Sequence, residues 1–575
     1  MEAEAIDVAI IAAYLAATFA LGVGVERRAR RDMDSYFLAG RKLPWWLLGI
    51  SGGSSYFDVT GTMWMVSVFY LLGMRGIWVH WFWCFPIAGF MMAYKAKWAY
   101  RSGVLTGMEW LVFRFGDGPA GRAARGVSAI VMTTNFVLML GYAGTGMGKF
   151  LDVFLPFDKS LSVPLLFGFT GLYILFGGFS SVVYTDFFQT ILMTAAALYV
   201  AVAAFVQIDP AAFRAQAGDD WFSVMPTMHL PRPPKEYPDP FGLLVMLWVT
   251  KGTIGLFANS GGVEFQRFRA ARSEGDACKV GLAWGLVTAV RWGMVMGFTV
   301  FGLSILAKHG ATVDSEQVLP LMIDEVFPPG FKGLVIAAML AAFMSTFDAL
   351  LNVTASFIVN DLIKPAWPTA GPKALVRASY ASTVCVIAIG IAISRYTERI
   401  DAIWNPINFA LGAALLAPGL FAAYWWRMGG WALCLSAACT LPAALYVKVF
   451  TELRELQYFP LLAAISFASC IAGAYAFPPA PREALMDFYR KVRPFGLWRP
   501  VQAMLVEAGD DPRRPERDRF DIPVAILATV FFVLFYLLML DIVLHNWPRA
   551  AACAGGAAAI AVALYTVWWR ALRTS

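Results

Sequence analysis

The chain has 575 residues, of which 59% are hydrophobic and 15% are charged, with a formal net charge of +7. Soluble globular proteins are about 45–50% apolar and about 25% charged, so these charges are too few to cover the surfaces of the roughly three or four soluble domains that this length would otherwise predict. The composition excludes a soluble enzyme, a disordered scaffold and a disulfide-rich secreted domain, and it predicts that most of the surface faces lipid.

Fifteen segments of the sequence are long and apolar enough to cross a membrane as helices, since a spanning helix needs about 20 largely apolar residues. The first segment has neither a preceding cationic stretch nor an A-x-A cleavage site, so we expect a retained helix rather than a signal peptide. The predicted fold class is an all-α polytopic membrane protein. The segments are 6–25, 45–72, 75–96, 123–150, 162–177, 182–207, 241–260, 279–307, 332–360, 375–395, 402–426, 429–448, 457–477, 521–544 and 549–571.

Lys and Arg residues are concentrated in alternate loops, and short loops rich in these residues stay on the cytoplasmic side. The loop after the first segment holds six of them between Arg27 and Lys42, and segment 478–520 holds nine. The loop 208–240 instead holds three, against five Asp or Glu residues. This pattern predicts an outside N-terminus and a cytoplasmic C-terminus in a plasma membrane, here a bacterial inner membrane. It also explains the net charge without a nucleic-acid partner.

The second and seventh segments are interrupted by small and polar residues, within 45–61 and 251–262. Unpaired backbone in hydrocarbon costs several kcal/mol, so a broken helix persists only where it lines a cavity in the protein. Paired breaks in corresponding positions of two halves are typical of a transporter binding site. We therefore number segments 2–6 as core helices 1–5 and segments 7–11 as core helices 6–10. The alternative is that the glycines only allow close helix packing.

The predicted segments divide the chain into seven parts. They are an N-terminal helix with its cytoplasmic loop (1–44), a first inverted repeat (45–207), an extracellular loop (208–240), a second inverted repeat (241–426), two further helices (427–477), a cytoplasmic linker (478–520) and two C-terminal helices (521–575).

Four motifs carry a resemblance to a known family. They are AGRKLPWW at 39–46, GGFSSVVYTDFFQ at 177–189, QRFRAAR at 266–272 and AAFMSTFDALLNVTASFIVND at 341–361. Together, and in this order, they resemble the sodium:solute symporters over roughly residues 5–430. The resemblance implies the inverted-repeat fold shared with the bacterial leucine transporter, with two repeats of five helices and with breaks in core helices 1 and 6.

The resemblance also implies a sodium site where the break in core helix 1 meets core helix 8. Carried over residue by residue, Ala342 would supply a carbonyl oxygen, and Ser345 and Thr346 would supply hydroxyls. Oxygen ligands suit a hard cation such as sodium. Without the surrounding motif, these two hydroxyls would instead be expected to bond to the preceding turn of their own helix.

Two registers are open for the ligands from core helix 1. An ungapped alignment from Gly40 gives the carbonyls of Ser54 and Phe57, and we prefer this register. An alignment of Asp58 with the helix 1 aspartate of the proline-transporter branch would shift them to Tyr56 and Val59.

Asp186 matches the family's aspartate on core helix 5, which the resemblance links to sodium release or to a second cation site. In some members, serines one turn below the main site complete that second site, and Asp348 replaces one of them here. A carboxylate at this position would strengthen the second site or pair with a cytoplasmic Arg.

Ionisable side chains inside spans cost about 2.5–3.5 kcal/mol on insertion scales, and they are functional candidates for that reason. Here they would line a central cavity and bind a polar or anionic solute, with aromatic residues as its walls and neutral polar residues as further partners. The candidate solute ligands are Asp58, Thr60, His80, Asn135, Lys251, Phe257, Arg291, Trp404 and Asn405.

A second interpretation of these side chains is structural. Asp58 would pair with Lys251 or Arg291 as an ion pair inside the bundle. His80, which is followed by Trp81, would be a membrane-interface residue, and Asn135 would join neighbouring helices.

The resemblance implies a sodium-coupled symporter, not an enzyme, that imports a small polar organic solute by alternating access. A sugar or sugar derivative is the preferred solute, and a carboxylate or an amino acid is the alternative. A non-transporting solute receptor of the same fold is the candidate from a different class. The expected partners are sodium, the solute and the lipid bilayer, and we expect a functional monomer.

Overall fold

The computed structural model describes residues 4–24, 38–79, 85–155, 158–231, 233–237, 239–258, 264–309, 314–398, 400 and 411–573. In these residues the elements are helices, and the strand-like pairing is limited to an isolated parallel bridge between Trp425 and Leu497. The structure confirms the predicted all-α fold class.

The N-terminal half alternates long apolar helices with short connecting ones. Core helix 1 is formed by α2 and α3, and the described part of core helix 2 passes through a π-helical stretch at Met91–Lys95. The helices are α1 (Ala5–Gly24), α2 (Trp45–Ser54), α3 (Val59–Leu72), α4 (Phe85–Phe90), α5 (Ala96–Ser102), α6 (Glu109–Phe115), α7 (Pro119–Leu151), α8 (Lys159–Gln207) and α9 (Pro210–Ala217).

The C-terminal half is also built from helices. A π-helical stretch at Phe357–Ile363 continues α14. The helices are α10 (Phe241–Ala258), α11 (Glu264–Arg269), α12 (Glu274–His309), α13 (Val318–Val326), α14 (Phe331–Ser356), α15 (Pro372–Tyr396), α16 (Gly412–Tyr424), α17 (Gly430–Phe450), α18 (Glu455–Ala476), α19 (Arg482–Val492), α20 (Arg499–Glu507), α21 (Asp521–Val543) and α22 (Trp547–Leu564).

Eleven helices in the described residues are long and apolar enough to span a membrane, or twelve if the bent pair Trp45–Ser54 and Val59–Trp78 is counted as one span. The predicted count of fifteen is not confirmed. Two further apolar helices are shorter, at Lys159–Leu175 and Gly412–Tyr424. Predicted core helices 4 and 5 both lie within the helical stretch of α8, and predicted core helix 2 includes residues 80–84, which lie outside the described residues.

The centre of the molecule is α14. In the most apolar window of this helix 89% of the residues are buried inside the protein, compared with 22% in that of α1. It packs against α1, α7, α8 and α15, while α2 packs against α8 and α12. Core helix 8 is therefore enclosed by other helices, and its polar side chains face protein rather than lipid.

The additional helix α1 is fastened to the first turn of α14. The buried Asp7 carboxylate accepts hydrogen bonds from Gly330 N and Gly333 N, both at 2.7 Å. These amides have no partner inside α14 because they belong to its first turn. A Cβ on Gly333 would lie 2.6 Å from Asp7 Cα, so a glycine allows this close approach. Asp7 thus acts as an N-cap from a neighbouring helix.

The segment 478–520, predicted as a linker, folds into α19 and α20 and packs against α5 and α6. Leu485, Phe488 and Val492 recur every three or four residues and form a buried face, which explains why this segment is ordered. Asp518 accepts hydrogen bonds from Arg101 at 2.7 Å and Lys97 at 3.2 Å. Burial alone would raise the pKa of Asp518, but these two cations hold it below its usual value. We call residues 478–520 the cap.

We expect Asp7→Ala to destabilise the protein by about 1–2 kcal/mol, the usual effect of losing an N-cap acceptor. Asp7→Asn should retain most of the stability because its amide oxygen still accepts a hydrogen bond. The midpoint of thermal unfolding of the detergent-solubilised protein measures the difference. An alanine variant as stable as wild type would contradict the assignment of Asp7 as the N-cap acceptor of α14.

Candidate functional site

The predicted break in core helix 1 is present between Ser54, where α2 ends, and Val59, where α3 begins, and the two parts are bent by 60°. Asp58 caps the second part. Its Oδ1 accepts from Thr60 N at 3.1 Å and its Oδ2 accepts from Gly61 N at 2.8 Å. The carboxylate that the sequence offered as a solute ligand therefore stabilises the start of α3.

Arg291, on α12, binds the backbone of the same break. Its Nη2 donates to Asp58 O at 2.9 Å, and its Nη1 donates to Tyr56 O. Its Nε also donates to Thr62 Oγ1 at 3.0 Å. The guanidinium thus supplies donors to two carbonyls of the break, one of which, Asp58 O, also accepts from Thr62 N at 2.9 Å. Of the two interpretations from the sequence, these contacts favour a structural role, although Arg291 bonds the Asp58 carbonyl rather than forming the expected carboxylate pair.

Ser345, on α14, faces the end of α2. Its Oγ lies 2.8 Å from Ser54 Oγ and also contacts the Asp186 carboxylate. All three side chains are buried. Core helices 1, 5 and 8 therefore meet at one cluster of oxygen atoms.

Thr346 lies beside Ser345 and reaches the break directly. Its Oγ1 is 2.9 Å from Ser55 O and 3.1 Å from Ala342 O. The bond to Ala342 O is the one to the preceding turn of the same helix, which the sequence analysis gave as the alternative to sodium binding. The bond to Ser55 O joins α14 to the break. Phe57 lies in the break with its ring 5.7 Å from the Arg291 guanidinium. The predicted sodium ligands thus lie around one junction between α2 and α14.

Asp186 pairs with a residue that the sequence did not single out as part of the site. Arg267 Nη2 lies 3.3 Å from Asp186 Oδ2, and it lies 2.6 Å from Ser55 Oγ. Ser51 Oγ bonds Asp186 and accepts from Arg267 Nε at 3.0 Å. Because both charges are buried, each depends on the other for its stability. The available signal was the position of Arg267 in the QRFRAAR motif.

Asp348 lies one turn beyond Ser345 on α14 and is fully buried. Its Oδ2 accepts from Tyr173 OH at 2.9 Å, whereas its Oδ1 has no hydrogen-bond partner among the described residues. The sequence analysis gave a cytoplasmic arginine as one possible partner of Asp348. Among the described residues, no hydrogen bond joins Asp348 to an arginine.

The remaining solute candidates lie in different surroundings. Thr60 Oγ1 is 3.4 Å from Ala143 O, and Asn135 is half-buried on α7. Lys251 lies inside α10 rather than at its end, and its ammonium is 5.2 Å from the ring of Phe459 on α18. The described contact of Lys251 is thus with α18.

Phe257 lies near the end of α10, where its ring is 5.0 Å from that of Phe90. The candidates His80, Trp404 and Asn405 lie outside the described residues.

The sodium:solute symporter family model matches residues 36–431 of the chain. The chain belongs to the sodium:solute symporter family. Two relatives are similar in sequence. Sodium/mannose cotransporter SLC5A10 of Bos taurus is 27% identical over 441 residues, which are 67% of this chain and 68% of that protein. The high-affinity proline transporter PutP of Bacillus subtilis (strain 168) is 26% identical over 430 residues, which are 70% of this chain and 83% of that protein.

The fold of this symporter also resembles a solved structure, the substrate-bound outward-open state of a Na+-coupled sialic acid symporter. The TM-score is 0.71 at 18% identity, and the match covers 83% of this chain and 99% of the other. These findings confirm the predicted family and fold. This symporter is a multi-pass membrane protein that moves sodium with a small-molecule solute, and it is not an enzyme.

We expect Asp186→Asn and Arg267→Gln each to be strongly destabilising, by about 3–5 kcal/mol, because each leaves a buried charge without its partner. The double variant should be more stable than the sum of the single effects predicts. Thermal unfolding of the four proteins measures this coupling. Additive effects of the two substitutions would show that the pair does not interact.

Proposed function

We propose that this symporter imports a sugar or a sugar derivative together with sodium by alternating access. The relative named for mannose supports this solute class. The relative named for proline supports the alternative, an amino acid or another carboxylate. A receptor of the same fold that does not transport is the third candidate, and sodium-dependent uptake would exclude it.

The observation that carries the proposal is the cluster of oxygen atoms between α2 and α14. Ser54 and Ser345 hydroxyls lie 2.8 Å apart, and the Thr346 hydroxyl lies 2.9 Å from Ser55 O. Hydroxyl and carbonyl oxygens are the ligands that a hard cation takes from a protein. We infer that sodium binds here by replacing these mutual hydrogen bonds with bonds to the ion.

This position links sodium binding to the position of core helix 1. The ligands come from two elements, so the site is complete only while α2 lies against α14. Sodium therefore favours the states in which the two elements touch, and a solute that binds at the same break favours them too. Two ligands that stabilise one state bind cooperatively.

The contacts of Arg291 bear on which carbonyls of core helix 1 bind sodium. The Tyr56 carbonyl accepts from Arg291, but the Ser54 and Phe57 carbonyls also accept hydrogen bonds, from Phe57 N at 2.8 Å and from Thr62 Oγ1 at 3.5 Å, so both registers stay open. The Ser55 carbonyl, which neither register includes, lies nearest to Thr346. We therefore keep Ser54 and Phe57 as candidates and add Ser55.

We further propose that Asp186 and Asp348 form a second cation site or the release path for sodium. Asp186 contacts the Ser345 hydroxyl of the main site, and Asp348 lies one turn further along α14 with one free carboxylate oxygen in the described structure. An ion that leaves the main site along α14 would meet both carboxylates.

For topology, we propose two inverted repeats at 45–207 and 241–426 and a functional monomer in a bacterial inner membrane. We place the N-terminus outside and the C-terminus in the cytoplasm. The Asp7 contact with Gly330 and Gly333 supports this orientation, because it puts the start of α1 on the same side as the start of α14. The loop before α14 on that side, 308–331, holds more Asp and Glu than Lys and Arg, which is expected of a loop outside the membrane.

We expect Ser345→Ala and Thr346→Ala each to raise the sodium concentration for half-maximal uptake by about tenfold, the equivalent of about 1.4 kcal/mol. Uptake of a radiolabelled solute into proteoliposomes at varied sodium measures this. Thr354→Ala is the matched control, since Thr354 is buried on the same helix and bonds Leu350 O at 2.6 Å. Unchanged sodium dependence in both site variants would overturn the site.

A thermal-shift screen with mannose, sialic acid and proline, each with and without sodium, tests the solute class. We expect a sugar to stabilise the protein, and more strongly with sodium present, because the two ligands favour the same state. Stabilisation by proline alone would favour the alternative class, and binding without any uptake would favour the receptor.

The ratio of sodium to solute in the same proteoliposomes tests the second cation site. A ratio of 1 that is unchanged in Asp186→Asn would remove that proposal.

A further inference from the structure

The C-terminal end of α16, which belongs to core helix 10, is held from outside the helix. The last carbonyls of a helix have no partner within it. Arg114 donates to Ala422 O at 2.7 Å and to Trp425 O at 3.0 Å. The ring of Trp498, in the cap, stacks on the Arg114 guanidinium, with 4.7 Å from its centroid to Arg114 Cζ. Trp498 Nε1 donates to Ala423 O at 3.3 Å. The cap therefore completes a binding site for this helix end.

The backbone of the cap also pairs with the residues around the end of α16. Leu497 N donates to Tyr424 O at 2.7 Å, and Trp426 N donates to Leu497 O at 3.3 Å. Gly496 has a φ of +118°, and a Cβ on it would lie 2.6 Å from Tyr424 O. A residue with a side chain at this position would therefore push the two segments apart.

Phe495 inserts its ring between core helices 2 and 10. The ring centroid lies 5.0 Å from that of Tyr94, 5.2 Å from Trp98 and 5.2 Å from Tyr424. The Tyr94 and Tyr424 hydroxyls are 2.7 Å apart. Aromatic contacts of this kind stabilise beyond the area that they bury, so Phe495 joins the inner ends of the two helices.

The same aromatic cluster encloses a cation at the end of α10. The buried Lys95 ammonium donates to Phe257 O, and it lies 5.4 Å from the Tyr424 ring and 5.7 Å from the Trp98 ring. A cation is favoured at a helix C-terminus by the helix dipole. Phe495 therefore packs on rings that surround the lysine bound to the last described turn of α10.

On the side of the molecule that carries the cap, α11 contacts both core helix 8 and core helix 5. Asn352 Nδ2 lies 3.4 Å from Gln266 Oε1, and Arg267 lies 3.3 Å from Asp186. The cap itself is bound to the neighbouring helix ends, since Arg101 joins Glu274 and Asp518 at 2.9 and 2.7 Å. The structure is thus closed at these contacts on the cap side.

We propose that residues 495–498 of the cap are a latch that positions the end of core helix 10 during transport. The latch holds α16 against core helix 2 and keeps the cap side closed. It lies beyond residues 36–431, the part matched by the family model. The proposal rests on alternating access as the proposed function, because opening toward the cap requires α16 to move away from these partners.

Weakening the latch should increase the population that is open toward the cap. Solute and sodium added on the opposite side then find fewer molecules in the competent state, and the apparent dissociation constant rises in inverse proportion to the competent fraction. Phe495 is a positioning residue in this account, because it touches neither ion nor solute.

Hydrogen–deuterium exchange of the full-length protein measures the latch without any solute. We expect Phe495→Ala and Gly496→Ala each to speed exchange of the Trp426 and residue 497 amides by about tenfold. Leu497→Ala is the matched control, because its side chain is exposed while its backbone makes the bonds. Phe495→Leu should lie between wild type and Phe495→Ala. Exchange no faster in the two latch variants than in the control would overturn the latch.

Uptake in proteoliposomes supplies the readout that a purely structural role would not change. We expect Phe495→Ala to raise the half-saturating concentration of external solute at least threefold in molecules that remain folded by size-exclusion chromatography. Leu497→Ala should match wild type. Faster exchange with an unchanged half-saturating concentration would contradict a role in transport. If the wild-type protein transports no solute, the proposed function fails while the exchange measurement still decides whether the latch exists.

Discussion

The break in core helix 1 is the constraint on which the rest of the site depends. Four residues lie between the two helical parts, from Ser55 to Asp58, and the polar backbone groups of this break need partners. Asp58 satisfies the amides of α3, and Arg291 satisfies the carbonyls before it. The hydroxyls of α14 meet the oxygens on the remaining side of the break. The partners of the break come from different helices, so the break can be complete in only one arrangement of those helices.

The buried charges follow from this arrangement. The Arg267 guanidinium reaches both Asp186 and the Ser55 hydroxyl, and thereby joins core helix 5, the break in core helix 1 and α11. A buried ion pair contributes little to stability when compared with apolar residues, but breaking it is costly. The Asp186–Arg267 pair instead fixes how the helices pack, since helices that carry complementary charges have few alternative arrangements.

The sequence pattern was sufficient to predict the class of fold and the position of the break in core helix 1, while the junction with core helix 8 was implied by the family resemblance. These depend on composition, on Gly and Ser residues within an apolar span and on the Ser345 and Thr346 motif. The sequence could not separate a capping role from a ligand role for Asp58, because both place a carboxylate at a helix break. It also could not predict that Lys251 faces Phe459 on α18, since contacts between distant helices depend on how the bundle packs. The folded cap was missed because a high density of Arg and Pro concealed the apolar face of α19.

The contact between α1 and α14 has a consequence for the evolution of this chain. Gly333 has no room for a Cβ because Asp7 lies against it, and Asp7 is useful only while the amides of Gly330 and Gly333 are within reach. The two positions should therefore change together among related sequences. Homologues that lack the N-terminal helix are free to carry larger residues at the position of Gly333, and they need another acceptor for the first turn of core helix 8.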